Sequence, residues 1–112
     1  MNVKEKGQPG IYTKVYGFVY EDAETITRKK SDGTDFNVVQ FTVGYETGSV
    51  DSKKVPIVKF MRCESSQDKI VSLGGLPKKG DRLEVGGPLR VDYNKENEKT
   101  FVTLRVNEMN KD

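Results

Sequence analysis

The sequence predicts an all-β fold, five strands curled into a barrel with one short helix between the third and fourth. Three observations carry this expectation. Apolar and polar residues alternate with period two in runs separated by turn residues. Only one short segment has helical spacing and caps. Glycines interrupt two of the runs, Gly17 in the first and Gly86-Gly87-Pro88 in the fourth, where a strongly bent strand needs them.

Residues 1–10, MNVKEKGQPG, mix Lys and Glu with Gly7, Pro9 and Gly10, the composition of a flexible arm ending in a turn. The domain proper is expected over 11–109, with 110–112 as a short tail. Ile11 to Tyr20, IYTKVYGFVY, is the first strand and sorts into two unlike faces. Ile11, Thr13, Val15 and Val19 form a β-branched lining that suits a core. Tyr12, Lys14, Tyr16, Phe18 and Tyr20 form the other face, which is either a second buried surface or a platform on which something flat can stack.

Glu21, Asp22 and Glu24 follow as an acidic cluster that could be imagined around a divalent metal, but one short cluster gives no second ligand shell and reads as a solvated turn. Thr25 to Asp35 reads as a hairpin whose charged tip carries Arg28, Lys29 and Lys30 before a Ser31-Asp32-Gly33 turn. Phe36 to Tyr45 alternates again, with Val39, Phe41, Val43 and Tyr45 expected inward and Val38, Gln40 and Thr42 outward. After a polar loop ending in Lys53 and Lys54, Val55 to Arg62 is the third strand, with Pro56 at its start. Placing Val58 and Phe60 inward turns Ile57, Lys59 and Met61 outward.

Ser65 as N-cap, Asp68 three residues on, Ile70 and Leu73 at i and i+3, and Gly74 as stop mark the helix. Pro77 to Gly80 turns into the fourth strand, Asp81 to Tyr93. Asn94 to Thr100 has no apolar residue and must be a hairpin loop. Phe101 to Met109 closes the fold, with Val102, Leu104 and Val106 on one face.

Composition narrows the function. With 34% hydrophobic and 32% charged residues in 112, the core must be small and a partner subunit could supply missing burial. The net charge of +2 means that a polyanion would be drawn by local clusters and not by the whole molecule. There is no histidine, and Cys63 is the single cysteine, so the usual zinc, haem and Ser-His or Cys-His chemistries lack their parts. Cys63 is read as a small packing residue, and no cofactor is called for. No apolar run approaches the roughly 18 residues of a membrane helix, and no secretory leader is visible, so a cytoplasmic, non-membrane setting is expected.

Strand order with one helix between the third and fourth strands is that of an oligonucleotide-binding barrel, the OB-fold. From Val15 to Met109 the residues also resemble the bacterial and phage single-stranded-DNA-binding proteins. Gly17-Phe18-Val19-Tyr20-Glu21-Asp22-Ala23-Glu24 resembles that family's first strand end, Ser31-Asp32-Gly33-Thr34 its small-residue turn, and Val39-Gln40-Phe41-Thr42-Val43 its second strand. Lys79-Gly80 with Val85-Gly86-Gly87-Pro88-Leu89-Arg90, and Phe101 to Val106, are similar to its later pieces. The resemblance implies a barrel that coats exposed single strands without catalysis. The chain departs from the cellular members in lacking tryptophan, Val55 standing where such a ring would fall, and in ending at Asp112 without their acidic tip. That pattern looks like a phage or mobile-element version, in a bacterial cell or phage-infected host, forming a homo-oligomer, a dimer above all.

A sequence-tolerant binder of single strands needs cations along a groove and flat side chains between them. The candidates are Tyr12, Lys14, Tyr16 and Phe18 on the first strand, Lys29 and Lys30 on the hairpin, Lys53 and Lys54 in the loop, Lys59 and Met61 on the third strand, and Arg90 and Tyr93 beside the last hairpin. The first-strand rings are also open to a reading as a subunit interface, and the lysine pairs, with Lys78 and Lys79, to one as solvated loop charge. Phe41, Tyr45, Phe60 and Phe101 read as core. The expected role is protection of single-stranded DNA during replication or recombination, whose proteins are candidate partners. The alternative is an interaction adaptor in a replication or conjugation complex, its aromatic face covered by a partner, and a nuclease acting through Glu21, Asp22 and Glu24 is a third reading.

Overall fold

Alternating β-branched and aromatic residues favour extended backbone. In the computed structural model, which describes residues 11–112, they build seven strands and one helix. These are β1 (Tyr12–Val19), β2 (Glu24–Lys29), β3 (Asp35–Val50), β4 (Pro56–Ser66), α1 (Gln67–Ser72), β5 (Arg82–Asn94), β6 (Lys99–Arg105) and β7 (Glu108–Lys111). Five strands close a ring in the order β1-β3-β4-β6-β5, with β5 returning to β1. This is the expected all-β barrel with a helix between its third and fourth ring strands. The expected N-terminal arm, residues 1–10, lies outside the described residues.

Closure depends on two strands that change partners. β1 pairs with β5 from Tyr12 to Phe18 and passes to β3 at Phe18 and Val19. Gly17 sits at the handover, where a Cβ would run into the Gly44 carbonyl, so glycine alone permits the approach. β5 pairs with β7 over Leu83 to Gly86 and with β6 from Leu89 to Asn94. Between them Gly87 lies against the Arg105 carbonyl with no room for a side chain. The single last strand expected from the alternation is therefore two. Val106 and Asn107 break it, donating their N–H groups to the Glu64 and Gly86 carbonyls at 2.9 and 2.8 Å. Asn110 and Lys111, expected in a tail, belong to β7.

The core follows the inward faces of β1 and β3 as expected, with Val15, Val19, Val39, Phe41 and Val43 buried. Leu83, Val85 and Leu104 join them, and Ile70 of α1 plugs the barrel. Burying side chains of this size is worth about 1.5–3 kcal/mol each. Cys63 is fully buried among them, and burial pushes its thiol up to about 12, so it packs and does not ionise at neutral pH. No helix among the described residues is long and apolar enough to cross a membrane.

Several expectations are corrected. Ile11, expected inward, precedes β1 and is 63% exposed. Val38, expected outward, is buried, in register with Ile26 on one side and Ser66 on the other. The helix is capped one residue later than expected, by Ser66, whose hydroxyl accepts from the Lys69 N–H, while Ser65 donates to the Val106 carbonyl.

The largest correction concerns β4. Met61 packs against the core two residues from Cys63, which turns Phe60 and Arg62 outward. The run Val55 to Arg62 carries apolar residues in both parities, so its alternation was ambiguous. Anchoring of Cys63 and the parallel pairing of Arg62 to Glu64 with β6 settle the phase. Phe60 and Phe101, expected in the core, are 54% and 45% exposed.

Candidate nucleic-acid interface

Pairing registers place the outward side chains of β3, β4, β6 and β5 in rungs that run across the strands. Thr42 pairs with Arg62, Arg62 with Thr103 and Thr103 with Arg90, giving one rung with a guanidinium on each side of a threonine. Gln40, Glu64 and Arg105 form the next rung. On the other side of the first rung, Phe60 precedes Arg62 by two residues on β4, and Phe101 precedes Thr103 by two on β6. Tyr20 meets Phe60 edge-on with ring centroids 5.0 Å apart. An exposed aromatic rung thus borders an arginine rung.

Arg28 of β2 reaches onto the same face. It is one of four arginines among the chain's five, with Arg62, Arg90 and Arg105, that line a single shallow cleft, and no lysine lines it. Arginine offers a planar fork of donors matched to phosphate oxygens and a flat face that stacks on bases, properties that lysine lacks.

The cleft also holds carboxylates. Arg28 donates to both Glu64 oxygens at 2.8 and 3.1 Å, Gln40 donates to Glu64 at 2.7 Å, and Arg62 donates to Gln40 at 3.3 Å. Burial acts to raise the Glu64 carboxyl, but the hydrogen bonds from Gln40 and Arg28 and the charges of Arg28 and Arg90 outweigh it and hold the group below its ordinary value. Arg90 pairs with Asp92 at 3.1 Å, an exposed contact. Among the described residues, Arg62 and Arg105 have no carboxylate partner.

Three of the four first-strand candidates lie elsewhere. Tyr12, Lys14 and Tyr16 project from the outer face of the β1–β5–β7 sheet, among the carboxylates of Glu84, Glu108 and Asp112 and the guanidinium of Arg82. The Tyr12 hydroxyl donates to Glu108, Lys14 pairs with the same carboxylate at 3.1 Å, and the Tyr16 hydroxyl donates to Asp112 at 2.5 Å. These bonds raise both phenols and Lys14 above their usual values, and the hydrogen bond from Tyr12, then that from Lys14, lowers Glu108. Both rings remain about half exposed, Tyr12 52% and Tyr16 54%. Phe18, in register with Gly44 and through it with Phe60, is the fourth and lies at the end of the aromatic rung, half-buried with its ring over Gly44.

The remaining candidates are dispersed. Lys29 pairs with Asp35 at 2.9 Å, and Lys30 lies 6.0 Å above the Phe36 ring. Lys53 and Lys54 sit in the turn at the end of the β3–β4 hairpin, Lys54 with a φ of 63°. Lys59 is exposed opposite Tyr45, and Met61 faces the core. Arg90 alone of the twelve sequence candidates joins the arginine cleft. Tyr93, three residues on in an extended strand, points to the other side of the β5–β6 hairpin. Asp22 serves a turn, accepting the Lys79 N–H at 2.8 Å. Sequence reasoning missed Arg28 as a cleft residue, and with it Arg62, Arg105, Phe60 and Phe101. The available signal was the choice of arginine over lysine at outward strand positions.

The chain shares its fold with solved proteins at low identity. It is similar to a small single-stranded DNA-binding protein from Streptomyces coelicolor, with 18% identity and a TM-score of 0.63 over 94% of this chain and 95% of that one. It is similar to the second single-stranded DNA-binding protein of Mycobacterium smegmatis, with 15% identity and a TM-score of 0.61 over 93% and 90%. A third likeness is to the N-terminal domain of the PriB protein from Thermoanaerobacter tencongensis, described as dimeric, with 14% identity and a TM-score of 0.58 over 90% and 94%. These likenesses establish the OB-fold. No family model matches the sequence, and no curated protein matches it.

Proposed function

We propose that this chain is a non-catalytic, sequence-tolerant binder of single-stranded DNA, acting where strands are exposed in replication or recombination. One observation carries the reading: four of five arginines converge beside exposed Phe60 and Phe101 on one face of the barrel. Bases stack on the rings and on guanidinium planes, and phosphates follow the Arg62 and Arg90 rung. Each stacked base contributes about 1–3 kcal/mol. Each neutralised phosphate adds roughly −0.7 to the salt slope on a single strand, so three or four contacts give a slope of about −2 to −3. Two proteins that share the fold are named as single-stranded DNA-binding proteins, which supports the reading. Lys29, Lys30, Lys53, Lys54 and Lys59 serve at most as peripheral phosphate contacts.

The test is a titration with oligo-dT followed by anisotropy at several salt concentrations. Micromolar or tighter binding that weakens with salt is expected. Absent binding, or binding indifferent to salt, overturns the proposal.

The β1–β5–β7 face supports a different use. Three carboxylates, Glu84, Glu108 and Asp112, stand among the tyrosines against Lys14 and Arg82, so these groups offer a polyanion no net positive charge, whereas a protein surface can satisfy both signs. We assign this face to a second copy of the chain in a homodimer, a reading that the dimeric PriB domain supports. Sedimentation mass tests it, and a monomer at micromolar concentration ends it.

A further inference from the structure

A face built to attract phosphate has a half-buried carboxylate at its centre. Glu64 lies one rung below the Arg62–Thr103–Arg90 rung and beside Arg105, and its two oxygens occupy the fork of Arg28. Its side chain is 16% exposed and is held in place by Gln40 as well. The charge therefore cannot swing away into solvent when a ligand arrives.

A single strand lying across the rungs places one row of phosphates on the Arg62–Arg90 rung and its bases on the aromatic rung. Its second handle is flat and neutral. A duplex is different: it is stiff, carries one charge per about 1.7 Å of axis, and hides its base faces. Unable to stack on Phe60 or Phe101, it would bind this face through phosphates alone, and a second phosphate row would fall on the rung that holds Glu64. Like charges brought together at an interface disfavour the wrong partner.

Resting on the single-strand reading above, we infer that Glu64 is a specificity-determining residue that rejects duplex DNA while leaving single strands bound. Arg28 is the second half of the device. Held by Glu64, it is withdrawn from phosphate, which leaves Arg105 as the one open guanidinium beside Glu64 on that rung. Asp92 differs from Glu64 in being exposed and on a hairpin, beside the stacking rung, and it acts as ordinary surface charge.

The experiment compares a 20-nucleotide single strand and the matching blunt duplex at one fixed salt concentration, for the wild type, Glu64→Gln and Asp92→Asn, with circular dichroism to show that each is folded. Wild type should prefer the single strand at least tenfold. Glu64→Gln should strengthen duplex binding about tenfold and single-strand binding less than about threefold. Asp92→Asn should change both ligands by similar, small factors. Equal gains on the two ligands in Glu64→Gln, or no gain on the duplex, overturn the inference while the single-strand reading stands. A wild type without preference overturns it even if Glu64→Gln fails to fold. A wild type that binds neither ligand removes the single-strand reading itself, and the inference with it.

Discussion

Two outward faces of one barrel carry the same ingredients, aromatic rings and cations at alternate strand positions, and the structure gives them opposite electrostatic characters. On the β1–β5–β7 face, Lys14 is neutralised by Glu108, and both tyrosines spend their hydroxyls on carboxylates. On the face formed by β3, β4, β6 and β5, four guanidiniums meet two carboxylates, and Phe60 and Phe101 stand uncovered beside them. A strand's own alternation says which side chains share a face. What surrounds them is supplied by strands distant in sequence, so the hydroxyls and the cation of a promising run such as Tyr12 to Tyr16 are taken up by residues near 110.

That contrast can be broken most sharply by charge reversal. Arg62→Glu with Arg105→Glu should reduce oligo-dT affinity by a hundredfold or more, about 3 kcal/mol, with the salt slope shallower by about 1.4, read by anisotropy across a salt series. The same double change leaves the β1 face intact, so the sedimentation mass should not move.

Phe60→Ala should weaken binding by about 1–3 kcal/mol if a base stacks there. Folding should be little affected, since the ring is more than half exposed, and a thermal melt checks this. A loss of affinity without loss of stability would separate the ring's role from that of a core phenylalanine.

Acid should loosen both faces. Glu64 and Glu108 are held below the usual carboxylate value in the folded chain, so each contributes stability above its unfolded value and loses it as pH falls through the depressed folded one. Melting temperature should therefore drop between about pH 5 and 3. Glu64→Gln should show less of that drop, because its share of the linkage is gone.

The smallest effect on binding should come from Tyr16→Ala, under about 0.5 kcal/mol, the scale of a surface change away from the ligand. Its visible consequence should be a lower sedimentation mass, from a weakened contact between copies. A loss comparable to that of Phe60→Ala would instead return the first strand to the DNA site.

Legibility in the sequence differed between fold and site. Val15 and Val19, and Val39, Phe41 and Val43, announced the inner faces of β1 and β3 because β-branched and aromatic residues recur there at period two with polar partners between. Gly17 and Gly86-Gly87 announced bends for a reason that the structure makes concrete, the close passage of the Gly44 and Arg105 carbonyls. The phase of β4 was not legible, since Ile57, Val58, Phe60 and Met61 fit either face, and with it went Phe60 and Arg62. The arginine cleft had no signal beyond the choice of arginine over lysine at single strand positions: Arg28, Arg62, Arg90 and Arg105 are separated by 15 to 34 positions, and nothing local says that they converge.

The order of residues alone determined that extended segments form, which of their sides are apolar in β1 and β3, and where the chain must turn, because these depend on local sterics and on burial of nearby side chains. Only the tertiary structure decided which strands lie side by side. Cross-strand neighbours about 5 Å apart control whether a cation is free or spent, and that distance is set by register and ring closure. The candidate site belongs to this second kind of information, since it exists only where β4 meets β6 in parallel and β5 bends past Gly87 to bring Arg90 alongside.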